Sequence, residues 1–153
     1  MPRLEPLHLR IFGITMIAKD SLLLLVDDSM AMRQTIKNVL TDEGFKNIHT
    51  ASDGKEAMAR IKGAMENDQM YNIIFLDWHM PEMDGLEFLK TCRNEMGLKK
   101  VAIIMLTAVS DQKSVITALN SGATSYITKP VSAKTLLTKI EQVSEWLEKG
   151  KKP

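Results

Sequence analysis

The sequence predicts an α/β fold in which one parallel sheet is covered by helices on both faces. Short, continuously apolar runs such as Leu22–Val26 and residues 73–76 suit strands buried on both sides. They alternate with longer segments whose apolar residues recur at i, i+4 and i+7, the helical period. Repetition of strand then helix from Ser21 onward requires right-handed crossovers, which place helices on either face of a single sheet. With 153 residues, 44% hydrophobic and 25% charged, the chain suits one domain. A chain of this length buries roughly 68–70% of its unfolded surface and needs neither disulfides nor metal to hold a core.

The elements follow in order. Leu22–Val26 is the first strand and runs into Asp27-Asp28. Ser29 is placed to cap a helix whose stripe is Met32, Ile36, Val39 and Leu40, closed by Gly44 at a position tolerant of left-handed backbone. Residues 48–51 form a weak second strand. Asp53-Gly54-Lys55-Glu56 has the pattern of a capping box and opens a helix through Ala57, Met58 and Ile61. The polar segment 63–71 reads as a connection. Residues 73–76 are the third strand, ending in Asp77, followed by a Met-Pro loop and a helix from Gly85 to about Glu95. Residues 101–106 are the fourth strand, ending in Thr107. Ser110 is placed to cap the next helix, which carries Val115, Ile116 and Leu119 and is closed by Gly122. Ser125–Thr128 is the fifth strand, ending in Lys129-Pro130, and the last helix bears Leu136, Ile140, Val143 and Leu147.

Residues 1–20 stand apart. The apolar stretch 11–17, preceded by Arg3 and Arg10, is too short for a secretory signal and has no small-residue cleavage site. The alternation Leu7-His8-Leu9-Arg10-Ile11 fits an extra edge strand. The preferred reading is a dispensable extension of unclear role ahead of a natural start at Met16, with the domain proper spanning 21–149. Residues 150–153, with Lys151 and Lys152 beside Lys149, form a solvated basic tail.

Composition narrows the classes of function. Lys and Arg number 20 against 19 Asp and Glu, leaving +1, without the broad basic footprint of a nucleic-acid binder. The single cysteine, Cys92, excludes an intramolecular disulfide and fits a reducing compartment. No apolar run approaches the ~18 residues of a membrane span. The expected location is the cytoplasm, with neither nucleic acid nor membrane as partner. His8, His49 and His79 are not spaced for a metal site, and most of the 11 methionines read as core filling.

The polar residues fall where such a fold does its chemistry. In open α/β sheets, ligands bind beyond the carboxyl ends of the strands, at the point where the strand order reverses. Asp27 and Asp28 follow the first strand, Asp77 the third, Thr107 the fourth and Lys129 the fifth. In a 2-1-3-4-5 order these ends converge on one shallow cleft. Clustered carboxylates repel one another and call for a hard divalent cation with oxygen ligands, Mg²⁺ being the natural candidate. A hydroxyl and an ammonium beside that cation are suited to the remaining oxygens of a phosphoryl group. A single aspartate at a strand end is usually a cap or turn former; charged or hydroxyl residues at four strand ends together point to a phosphoryl site.

Five motifs, Leu24-Leu25-Val26-Asp27-Asp28-Ser29, Leu76-Asp77-Trp78-His79-Met80-Pro81, Met83-Asp84-Gly85, Leu106-Thr107-Ala108 and Tyr126-Ile127-Thr128-Lys129-Pro130, resemble the receiver domain of two-component response regulators. Within that family the single-domain, CheY-like chemotaxis regulators are nearest in pattern, and the resemblance runs from Ser21 to about Glu148. It implies a flavodoxin-like (βα)5 three-layer sandwich with a five-stranded parallel sheet. It implies Asp77 as the phospho-acceptor, served by a sensor histidine kinase, and Mg²⁺ held by Asp27, Asp28, Asp77 and the backbone carbonyl of His79. Thr107 and Lys129 would contact the phosphoryl oxygens, and Thr107 with Tyr126 would form the switch. Catalysis would extend no further than the protein's own phosphoryl transfer and autodephosphorylation. Output would pass by contact through the fourth helix, fifth strand and fifth helix to a target protein, the flagellar motor switch being one candidate, with a phosphatase as a further partner.

Alternatives stay open beside this. A phosphate sink or relay receiver in another pathway has the same residues. An aspartate-dependent phosphohydrolase wants an acid two residues after its nucleophile, where His79 stands, and a substrate-covering cap. A flavin carrier of the same topology lacks a phosphate-cradling loop, since acids follow the first strand. The chain departs from its likeness in a longer 63–71 connection, in His79 where an Asn is frequent, and in Val109, which offers no charge above the site.

Overall fold

A computed structural model describes residues 9–11, 14–108 and 112–149. Its elements are β1 (Leu9–Ile11), β2 (Ile14–Met16), β3 (Leu22–Val26), α1 (Met30–Asp42), β4 (Asn47–Ala51), α2 (Gly54–Glu66), β5 (Ile73–Asp77), α3 (Gly85–Lys90), β6 (Ala102–Thr107), α4 (Gln112–Asn120), β7 (Ser125–Thr128) and α5 (Ala133–Glu148). Strands β4-β3-β5-β6-β7 form one parallel sheet. Counted from β3, this is the expected 2-1-3-4-5 order.

The continuous apolar strands serve two cores at once, because successive side chains point to opposite faces. Leu23 and Leu25 of β3 join Ile36 and Leu40 of α1 and Leu136, Ile140 and Val143 of α5. Leu24 and Val26 join Ala57 and Ile61 of α2, Phe88 and Leu89 of α3 and Ala118 of α4. That is the three-layer sandwich, and it explains why these runs do not alternate in polarity. No described helix is long and apolar enough to cross a membrane.

Local signals act as expected at most ends. Ser29 Oγ accepts from the Met32 N–H at 3.2 Å and Asp53 Oδ1 from the Glu56 N–H at 2.7 Å. Glu56 does not return to Asp53, however; its Oε2 accepts from Ser52 Oγ at 3.0 Å, one residue earlier. Gly44 and Gly122 have φ of +97° and +109°, the left-handed geometry that ends a helix. Ser110, the expected cap of α4, lies outside the described residues, as do Val109 and the 150–153 tail.

Two segments differ from expectation. Helix α2 continues to Glu66 because Ala64, one turn after Ile61, is buried, so the connection shrinks to residues 67–72. After α3 the chain makes a π-helical turn over Thr91–Glu95 with Cys92 buried inside it; one inserted position of this kind leaves no trace in a 3.6-residue period.

The N-terminal segment also packs more closely than its composition suggests. β1 and β2 pair antiparallel as a two-stranded ribbon, separate from the main sheet rather than forming its edge. β2 lies against α5. Ile17 is fully buried in the same core as Phe45 and Ile36, and its N–H donates to Ser144 Oγ at 3.1 Å. Ser144 Oγ in turn donates to the Ile140 carbonyl at 2.6 Å. The packed body therefore begins ahead of Ser21. Ile17→Val is expected to cost about 1 kcal/mol, seen as a melting temperature lower by roughly 2–4 °C. An unchanged melting temperature would remove Ile17 from the core.

Candidate functional site

The site is assembled at the carboxyl edge of the sheet, where β3, β5 and the β7–α5 connection meet. Asp27 follows β3 directly, its N–H donating to the Ala51 carbonyl at 3.1 Å, which keeps it in the plane of the sheet. Its side chain is fully buried, and Oδ1 accepts from the Ser29 N–H at 2.8 Å. Asp28, the next residue, is exposed. Asp77 ends β5 opposite Leu106 of β6 and is 4% exposed. Lys129 is held by its N–H, which donates to the Thr107 carbonyl at 2.7 Å. Its Nζ reaches Asp77 Oδ1 at 2.9 Å and stands 3.3 Å from Asp27 Oδ2.

The three carboxylates Asp27, Asp28 and Asp77 offer ligand atoms within 4.8 Å of one another. Asp27 Oδ2 is buried, forms no hydrogen bond among the described residues and has the Lys129 ammonium 3.3 Å away as its ion-pair partner. One ammonium shared between Asp27 and Asp77 leaves three neighbouring carboxylates with a net negative charge that a further cation would answer. The donor set is all oxygen and the charge excess is negative, so these residues fit Mg²⁺.

Burial pushes the Asp77 carboxyl above its usual range, with the Asp27 and Asp28 charges adding to the rise and the Lys129 hydrogen bond opposing it. For Lys129 burial works downward, but the bond to Asp77 and the charges of Asp77 and Asp27 outweigh it and raise the ammonium. Because the Asp77 value is raised on folding, its relative stabilisation holds below 3.8, its ordinary value, and is lost as pH rises through the folded one. At neutral pH the ionised group therefore opposes folding. In metal-free buffer at pH 7, Asp77→Asn is expected to melt higher than the parent, and the difference should vanish once pH falls below 3.8. A parent protein that melts higher at neutral pH would reverse this sign.

Thr107 is buried at the end of β6, beside β5. Tyr126 of β7 is opposite Met105, which shares a sheet face with Thr107 two residues on. The Tyr126 ring is half-buried against the α2–α3–α4 core and has Lys139 Nζ of α5 at 4.8 Å from its centroid. His79 is exposed just after β5. His49 is half-buried in β4 and shares a hydrogen bond of 2.7 Å with the Tyr71 hydroxyl, away from the carboxylates.

Two supporting residues are not evident from sequence alone. Arg33, on the first turns of α1, donates from Nη1 to the Asp27 carbonyl at 2.6 Å and so fixes the strand end. Gly85 sits so near the acceptor that a Cβ there would be 2.4 Å from the Asp77 carbonyl oxygen. The Met83-Asp84-Gly85 motif marks that glycine, but its reason appears only when α3 is folded back onto β5.

Known proteins resemble this chain in sequence and fold. The response regulator receiver domain pattern matches residues 23–141. Chemotaxis protein CheY-3 of Vibrio cholerae is 36% identical over 129 residues, 84% of this chain and 95% of that protein. Chemotaxis protein CheY1 of Helicobacter pylori is 38% identical over 121 residues, 79% of this chain and 94% of the other. Among solved structures, V. cholerae CheY4 superposes with a TM-score of 0.72 at 34% identity, covering 81% of this chain and 98% of its own. A CheY-like receiver domain protein of Methanospirillum hungatei gives 0.73 at 29% identity, covering 85% and 98%. With its sheet order, its strand-end carboxylates and these matches, the chain belongs to the response regulator receiver domain family, whose members are phosphorylation-activated signalling switches.

Proposed function

We propose that Asp77 is the phospho-acceptor, charged by a sensor histidine kinase, and that the resulting change of state is passed on by protein contact. The observation that carries this is the placement of Asp77 at the end of β5, with Lys129 on one oxygen and two further aspartates alongside. Lys129 occupies Oδ1 and leaves the other oxygen to attack phosphorus. The new O–P bond forms as the P–N bond of the phosphohistidine breaks, and the imidazole leaves with that electron pair. Lys129 and the Thr107 hydroxyl then meet the phosphoryl oxygens. Asp27, Asp28, Asp77 and the His79 carbonyl hold Mg²⁺, which when bound neutralises charge on the transferring group. Raised by its carboxylate neighbours, the Lys129 ammonium keeps its charge throughout the neutral range.

Withdrawal of Thr107 toward those oxygens frees space on the sheet face that Tyr126 shares, so the tyrosine serves as the switch. The output surface is α4, β7 and α5, where Ile116 is 58% and Leu119 41% exposed. The named relatives are chemotaxis proteins and support a chemotaxis role; the flagellar motor as target and the cytoplasm as location belong to the same proposal.

The test is intact-protein mass spectrometry after acetyl phosphate with Mg²⁺. One phosphoryl group per chain is expected, and none when EDTA replaces the metal. Mg²⁺ titration followed by the fluorescence of Trp78, next to Asp77, should saturate only weakly, because few protein ligands leave water to complete the shell. Full transfer in EDTA with a flat titration would overturn the proposal.

A further inference from the structure

Helix α4 is the least embedded of the five helices among the described residues. It buries only Ala118, whereas α5 buries Leu136, Ile140, Val143, Ser144 and Leu147. An element with so little buried surface opens and shifts at low cost unless something ties it down. The tie lies at its C-terminal end. Arg93, carried on the π-helical turn after α3, is half-buried, and its guanidinium is met by neutral oxygens. Nε donates to the Gly122 carbonyl at 2.9 Å, Nη1 to the carbonyls of Leu98 at 2.5 Å and Val101 at 2.7 Å, and Nη2 to Thr124 Oγ1 at 3.2 Å. Thr124 is stitched to β6 in both directions: its Oγ1 accepts from the Ile103 N–H at 3.0 Å, and its own N–H donates to the Ile103 carbonyl at 2.8 Å. Gly122 rests on the stem of the same arginine, since a Cβ there would be 2.9 Å from Arg93 Cγ.

One planar fork thus joins the end of α3, the approach to β6 and the turn between α4 and β7. Lysine, a single point donor, cannot span three such directions. A partly desolvated cation is tolerated only while its donors are satisfied, so this geometry is narrowly specified.

We propose that Arg93 is a positioning residue of the switch, a pivot that fixes the C-terminal end of α4 and the start of β7. Changes at the phosphoryl site then move the N-terminal turns of α4 about Gly122 without displacing that turn. The inference rests on Asp77 being the acceptor.

Amide hydrogen exchange on the full chain tests it, with Mg²⁺ and beryllofluoride as the phosphoryl mimic. In the parent, beryllofluoride is expected to change exchange over residues 112–116 and to leave 119–124 as they were. In Arg93→Met, exchange over 119–124 should rise about tenfold, the scale of losing charged hydrogen bonds, and the beryllofluoride response should spread into that turn. Affinity for the mimic should stay within about twofold, because Arg93 touches none of the site residues. Arg93→Lys, which keeps the stem under Gly122, gives the same comparison if the methionine variant does not fold. The pivot is overturned if the parent response at 119–124 equals that at 112–116. It is equally overturned if the variants exchange there as the parent does, or if exchange rises evenly over the chain with the parent's response pattern. Absence of any beryllofluoride response in the parent overturns the acceptor assignment, and the pivot with it.

Discussion

Asp77→Asn is expected to take up no phosphoryl group from acetyl phosphate, a loss on the order of 10³-fold or more, the scale of removing a covalent nucleophile. The amide is nearly isosteric, and its oxygen still accepts from Lys129 Nζ, now 2.9 Å from Asp77 Oδ1. What disappears is the negative charge that attacks phosphorus and that, with Asp27 and Asp28, makes the cluster a cation site. Far-ultraviolet circular dichroism should be unchanged while the mass of one phosphoryl group no longer appears. Equal uptake by the variant would move the acceptor to another residue.

Gly85→Ala is expected to damage both fold and site. The new methyl would lie 2.4 Å from the Asp77 carbonyl oxygen, 2.9 Å from Trp78 Cα and 3.1 Å from Met105 Cε. The methionine tip can swing away; the backbone of β5 cannot, because its ladder to β6 is set on one side and the Gly85 N–H donates to the Trp78 carbonyl at 2.8 Å on the other. Overpacking against rigid backbone costs about 1–3 kcal/mol or more. A lower denaturation midpoint and weaker Mg²⁺ binding should appear together, since α3 and the acceptor can separate only by moving Asp77. A variant with the parent's midpoint and metal affinity would show that the close approach is not needed.

The five parallel strands, the helices between them and several of their caps could be read from residues in order. A strand buried on both faces must be apolar throughout, and a helix must repeat its apolar stripe, so burial is written locally in Leu22–Val26 or in Leu136, Ile140 and Val143. The strand ends were legible for the same reason: where the apolar run stops, Asp27, Asp77 and Thr107 begin, and the order of strands brings them to one edge. Tertiary structure decided the rest. Neighbouring aspartates of identical chemistry became one buried group and one exposed. Lys129 found Asp77 across 52 positions, Arg93 gathered four oxygens from two loops, and Gly85 acquired its necessity from a strand it does not adjoin. Ile17 joined the core from a segment whose short apolar stretch carried no helical or strand period long enough to announce it. Periodicity records which face of an element is buried; which distant atoms meet there depends on packing and chain reversal, and those are set only when the whole chain has folded.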